Sequence, residues 1–143
     1  MTKHQSAPET LNTKVALLGA GKMGGILLQA FLKNRLFHPE NIRATIHHVA
    51  RCESLSAQWG ISVTNDNLEA ARQSDLILLG VKPQTVPEII EQIRPALTAK
   101  KTIISFAASV KTSTIEKAAG VDLAVLRAMP NTPSLVGCGA TGL

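Results

Sequence analysis

Short apolar runs alternate with stretches of helical spacing along almost the whole chain, and this alternation most restricts what it can fold into. The runs KVALLG, IRATIHHV, GISV, DLILLGV, TIISFAA and LAVLRAM begin at Lys14, Ile42, Gly60, Asp75, Thr102 and Leu123. Each is too short for a typical helix and is predicted as a strand. The runs are nearly apolar throughout, which implies parallel strands covered on both faces, because parallel neighbours require crossover connections. The expected fold is therefore α/β: a doubly wound, mainly parallel sheet with helices on both faces. Its ligand site should lie beyond the carboxyl ends of the strands, where the strand order reverses.

The intervening segments carry helix signals. Met23, Ile26, Leu27, Ala30 and Phe31 recur at helical spacing and predict an apolar stripe on a helix from about Lys22 to Asn34. Asp66 with Glu69, Thr85 with Glu88, and Ser113 with Glu116 have the spacing of reciprocal first-turn caps. Val86, Ile89, Ile90, Ile93 and Leu97 form a second stripe, which Pro95 is expected to cut before Leu97. Gly120 is placed to stop the helix that follows Ser113.

Composition narrows the function classes. A chain of 143 residues, 45% of them hydrophobic, can bury the core of one compact domain. No apolar run approaches the roughly 20 residues that span a bilayer, and MTKHQSAPETLN lacks the apolar block of a secretory signal. The expectations are no membrane partner, a loose polar tail over residues 1–13, and a cytoplasmic location. Cys52 and Cys138 are far apart and have no CxxC spacing, so neither a disulfide framework nor a metal site is expected. The net charge of +5 comes from scattered Lys and Arg with no tyrosine, a pattern that argues against nucleic acid. A mild positive field suits a small anionic ligand.

Such a ligand is implied by VALLGAGKMGG, Val15 to Gly25. Gly19, Gly21 and Gly24 follow the first strand and open the first helix, the context of a Rossmann-like dinucleotide loop. Gly19 would permit a tight turn and Gly21 a close approach to a pyrophosphate. Gly24 would let helix and strand pack closely, while amides at the helix start face the anion. Lys22 does not make this a Walker loop, because the spacing is wrong and Met23, not Ser or Thr, follows it. A site selective for NAD places an acid at the end of the second strand, but ATIHHVAR has none before Glu53. His47, His48 and Arg51 instead offer groups for a 2′-phosphate, so NADP(H) is the expected cofactor and NAD(H) the alternative.

GAGKMGG, LLGVKPQ, SFAASV and LRAMPNTPSLVGCGAT, in this order, resemble the pyrroline-5-carboxylate reductases from Lys14 to Leu143. The resemblance implies reduction of 1-pyrroline-5-carboxylate, a cyclic imine, to L-proline in proline biosynthesis. It implies a cofactor lying across Gly19, Ala20, Gly21, Lys22, Met23 and Gly24, with Asn67 on the adenosine side. Val81, Lys82 and Pro83 would lie near the middle, and Ala107 and Ala108 near the nicotinamide, with Met129, Pro130 and Asn131 in a stiff loop that positions the ring. Lys82 is read as neutralising cofactor charge, and no residue of the chain is assigned as catalytic. Ser109 departs from the family pattern, which has glycine after the two alanines; a positive φ there would strain serine.

Residues 14–130 are expected to form the dinucleotide domain and 131–143 an extension toward a helical domain. In the family that second domain carries the substrate carboxylate site and the homo-oligomer interface, and it should begin where this chain stops at Leu143. The chain alone is therefore expected to bind NADP(H) and to reduce imine poorly. Two other readings stay open: another NADP-dependent oxidoreductase of the same fold group, such as a deazaflavin-dependent one, or a non-catalytic dinucleotide-binding module.

Overall fold

All six apolar runs form strands, and they lie side by side in one parallel sheet. The computed structural model describes residues 10–107, 109–130 and 141–142. In chain order the strands are β1 (Val15–Leu18), β2 (Ile42–Thr45), β3 (Ser62–Thr64), β4 (Leu76–Leu79), β5 (Thr102–Ser105) and β6 (Ala124–Arg127). The helices are α1 (Lys22–Lys33), α2 (Cys52–Trp59), α3 (Asn67–Arg72), α4 (Val86–Ile93) and α5 (Thr112–Ala119). The spatial order is β3-β2-β1-β4-β5-β6, so the winding reverses between β1 and β4. A separate antiparallel pair, β7 (Met129–Pro130) with β8 (Thr141–Gly142), follows β6. Among the described residues no helix is long and apolar enough to cross a membrane.

Alternate residues of each central strand feed two cores, which is why the runs read as continuously apolar. Ala16, Leu18, Ile77, Leu79 and Ile103 meet Ala70 and Ala71 of α3, Ile89, Ile90 and Ile93 of α4, and Ile115 of α5. Val15, Leu17, Ile42, Ala44 and Leu78 face the other way onto Leu28 of α1, Phe37 and Ile61, with Trp59 of α2 partly buried against them.

Several local expectations are corrected. The stripe of α1 is rotated: Gly24, Gly25, Leu27 and Leu28 are buried, whereas Met23 is 42% exposed. Only one of the three caps forms, and only in one direction: the Asp66 carboxylate accepts the Glu69 amide at 3.0 Å, while the Glu69 side chain pairs with Arg72 and the Asp66 amide donates to Thr64 Oγ1. Thr85 makes no cap because it ends a 3-10 turn, Pro83–Thr85, that starts earlier; the proline holds Lys82 extended at ψ 148° and thereby sets the turn there. At α5 the extended position before the first turn is Lys111, which leaves Ser113 inside the helix. Two expected stops are present: Gly120 adopts φ +74° after α5, and α4 ends at Ile93, before Pro95. The end of the expected loose tail is tied down, because Leu11 N–H donates to Leu36 O at 2.8 Å and Thr10 Oγ1 to Arg35 O at 2.8 Å.

Lys101 is a buried cation whose role the sequence pattern did not disclose. Its ammonium donates to the carbonyls of Ala71 at 2.7 Å, Arg72 at 3.2 Å and Ser74 at 2.7 Å, closing the open carboxyl end of α3. Burial holds its pKa below the usual 10.5, with Asp75 opposing that shift and Arg72 adding to it. Lys101→Met is expected to cost about 1.5–3 kcal/mol at neutral pH, the range for a hydrogen-bonded charge. Urea unfolding should show this as a lower midpoint at unchanged slope. Between the lowered pKa and 10.5, unfolded chains hold more protons than folded ones, so the native protein gains stability as pH rises through that window. The methionine variant lacks this gain, and the gap between the two proteins should widen with pH.

Candidate functional site

The strand order reverses between β1 and β4, the place where doubly wound sheets leave a ligand crevice beyond the carboxyl ends of the strands. Glycines pack closely there. Gly19 leaves β1 at φ +89°, a backbone state that side-chain-bearing residues rarely adopt. A Cβ at Gly19 would overlap the Val81 side chain, and one at Gly24 would overlap the Gly19 carbonyl oxygen. One at Gly80 would stand 2.9 Å from that same oxygen and 3.3 Å from Gly24 Cα. Gly21 is different, because a Cβ there would meet nothing within 4 Å. Three glycines thus serve close packing, and the fourth faces open space at the helix start.

The loop is held from β2. Gly19 N–H donates to Thr45 Oγ1 at 3.0 Å, and Ala20 N–H donates to the Thr45 carbonyl at 2.7 Å. The next backbone hydrogen bond runs from Gly25 N–H to Gly21 O at 2.7 Å and begins the helical ladder. First-turn amides of a helix have no partner within it, so the start of α1 turns donors and the positive end of its dipole toward the crevice. A pyrophosphate fits this arrangement, and the open side of Gly21 leaves room for it.

The strand order lines up the other expected site residues along one edge of the sheet. After β2 come His47, His48 and Arg51, all exposed, with the two imidazole rings edge to face at 5.5 Å. After β1 come Lys22 and Met23, both exposed, whereas the Ala20 side chain is buried. After β4 come Val81, half-buried against Gly19, then exposed Lys82, then Pro83, which starts the 3-10 turn. After β5 comes Ala107, buried, with its N–H donating to Ser105 Oγ at 3.2 Å. Asn67 opens α3 in a shallow groove with Asn65, Asp66 and Gln92 and donates to Gln92 Oε1 at 2.9 Å. Ala108 and Asn131 lie outside the described residues, and Met129 and Pro130 are described only as the backbone of β7.

Sequence reasoning missed Thr45 and Gly80. Each carried a faint signal: a lone hydroxyl near the end of an apolar run, and a glycine directly after another.

This geometry has known counterparts. The profile of a family described as NADP oxidoreductase, coenzyme F420-dependent, matches residues 14–109. The chain belongs to this family. Beyond the family's matched segment, the likeness continues: a pyrroline-5-carboxylate reductase of Methanosarcina acetivorans is 39% identical over 132 residues, covering 92% of this chain and 49% of the relative. A solved pyrroline-5-carboxylate reductase from Coxiella burnetii superposes with a TM-score of 0.82 at 31% identity, over 92% of this chain and 48% of the other. The Plasmodium falciparum enzyme, solved with NADP bound, gives a TM-score of 0.76 at 26% identity over 90% of this chain and 46% of its own. The chain spans about half the length of the curated relatives it matches.

Ser109 stands at φ +70° in the loop after β5, so the departure from glycine noted in the sequence falls on a left-handed residue. That conformation costs a non-glycine residue about 1–2 kcal/mol, of which glycine's greater unfolded-state freedom takes back about 0.5–1 kcal/mol. Ser109→Gly should therefore stabilise the chain by roughly 0.5–1 kcal/mol. A thermal midpoint that stays level or falls would show that the serine side chain compensates its own strain.

Proposed function

We propose that this chain is the dinucleotide-binding part of an NADP(H)-dependent pyrroline-5-carboxylate reductase, an oxidoreductase acting on the C=N bond of a small cyclic imine in proline biosynthesis. The observation that carries the reading is the crevice at the β1–β4 reversal, where close-packed glycines leave helix-start amides facing open space beside Gly21. The likeness to pyrroline-5-carboxylate reductases over about nine-tenths of the chain supplies the reaction.

In this reading residues 14–130 form the cofactor domain, and 131–143 lead toward the substrate and oligomer-forming part. The amides of Gly21, Lys22, Met23 and Gly24 hold the pyrophosphate, with Gly19 and Ala20 shaping the loop behind them. His47, His48 and Arg51 take the 2′-phosphate of NADP(H), with NAD(H) as the weaker ligand. Asn67 lies toward the adenosine. Val81, Lys82 and Pro83 line the middle, Lys82 balancing phosphate charge, and Ala107, Ala108, Met129, Pro130 and Asn131 border the nicotinamide. When bound, the cofactor would supply a hydride to the carbon of the protonated imine, whose nitrogen already carries the proton the product needs. The protein contributes orientation and charge, and no residue of this chain is assigned as an acid. The complete enzyme is read as a cytoplasmic homo-oligomer with no nucleic-acid partner.

A second reading comes from the family description itself, in which the nicotinamide partner is a deazaflavin rather than an imine. Assaying NADPH oxidation with 1-pyrroline-5-carboxylate, and NADP reduction with a reduced deazaflavin, separates the two when this chain is joined to the substrate-binding half of a full-length relative.

Binding is tested by titrating NADPH and NADH against cofactor fluorescence. Arg51→Ala should weaken NADPH about tenfold and leave NADH nearly unchanged, since a charge-assisted bond to phosphate contributes on the order of 1.4 kcal/mol or more. Gly21→Ala should leave the chain folded and weaken both nucleotides at least tenfold, because the new methyl occupies the phosphate's path. Equal affinities in the parent protein, insensitive to Arg51, would remove the NADP assignment. Saturable binding of neither nucleotide would remove the reading itself.

A further inference from the structure

Thr45 is the last residue of β2 and sits directly opposite Leu18, the last residue of β1. It is 2% exposed, in a strand whose other buried residues, Ile42 and Ala44, are apolar. A hydroxyl in such a place needs a hydrogen-bonding purpose. Here it faces the residue whose backbone changes direction, since Oγ1 accepts the amide of Gly19 at 3.0 Å and Gly19 stands at φ +89°. The carbonyl of the same threonine accepts the following amide, that of Ala20, at 2.7 Å. One residue of the neighbouring strand therefore fixes two successive amides just before the chain reaches Gly21.

That double hold divides the donors of the loop. The amides of Gly19 and Ala20 are turned inward to β2, and those that follow are left for the crevice. Without the hydroxyl, the Gly19 amide loses its partner in a partly buried setting and the peptide becomes free to rotate, so a ligand must order the loop as it binds. The carbonyl bond to Ala20 does not depend on the side chain, and valine has nearly the same shape and strand preference as threonine. The hydroxyl can thus be removed with little change to the strand.

We propose that Thr45 is a positioning residue for nucleotide binding: by holding Gly19 it presets the phosphate-binding turn, without touching the ligand. The inference rests on the dinucleotide reading of the crevice. It adds a specific signature, because a residue that acts through the pyrophosphate turn must affect NADPH and NADH alike, whereas a residue at the 2′-phosphate affects only one.

The test titrates NADPH and NADH against the parent chain, Thr45→Val and Thr45→Ser, with urea unfolding of each protein in parallel. Thr45→Val should bind both nucleotides at least tenfold more weakly, by one common factor. Thr45→Ser, which keeps the oxygen, should stay within about threefold of the parent. Valine and serine variants with equal affinities would overturn the proposal, as would a valine variant that unfolds more easily yet binds normally under folding conditions. A loss confined to NADPH would also overturn it. If the parent chain itself binds neither nucleotide, the dinucleotide reading falls and this inference with it; if the parent binds and Thr45→Val binds equally well, this inference falls alone.

Discussion

Three stretches of backbone, at Gly19, Gly24 and Gly80, meet so closely that no side chain fits at any of them. This contact joins the end of β1, the start of α1 and the end of β4. It fixes how deeply α1 seats on the sheet and how near its first turn comes to the β1–β4 reversal. The Gly80 amide donates to Leu18 O at 2.8 Å, which extends the β1–β4 pairing by one residue and draws the two loops together. A helix set further away would still bury Leu27 and Leu28, but its amides would no longer line the crevice between the strands. Close packing and an open helix start are two results of one steric fact: glycine at 19, 24 and 80 allows contact, and a Cβ at 21 would meet nothing within 4 Å.

The strand pattern was legible because it is written in transfer free energy. Four successive buried residues in β1, Val15 to Leu18, leave an uninterrupted apolar run whatever the rest of the chain does. The stripe of α1 was harder to read, because Gly24 and Gly25 occupy its buried centre and contribute no hydrophobic signal. The apolar residues that remain point to a face turned toward Met23, which the structure leaves exposed. Caps failed for another reason. A capping pair works only where the backbone before the helix is extended, and at α4 the proline at 83 had already set the preceding turn.

The candidate site was legible to the extent that it follows chain order. Loops after β1, β2, β4 and β5 were all identified, because each directly follows a recognisable strand. Thr45 could not be found this way. Its partner is 26 residues distant, and the bond exists only because β1 and β2 pair in register. Lys101 is a similar case: its acceptors lie in and just after α3, 27 to 30 residues earlier, and no local pattern distinguishes it from exposed Lys100 beside it. Long-range polar contacts of this kind are set by topology, and a single sequence carries little trace of them.

Strand order also gives the crevice a direction. From β2 through β1 and β4 to β5, the edge runs from exposed imidazole and guanidinium groups, past a glycine turn with free helix-start amides, to buried alanine. A ligand matched to that gradient carries a phosphate at one end, a diphosphate in the middle and a flat, weakly polar group at the other end. An NADP-type dinucleotide has this distribution, and a compact anion such as free phosphate does not. Because the gradient is imposed by the order of the strands, reversing the ligand would put its phosphorylated ribose beside Ala107, where the described loop offers no cationic side chain before Lys111. In the proposed reading the fold selects ligand orientation as well as ligand class, through groups from four different loops that only the winding of the sheet brings into sequence.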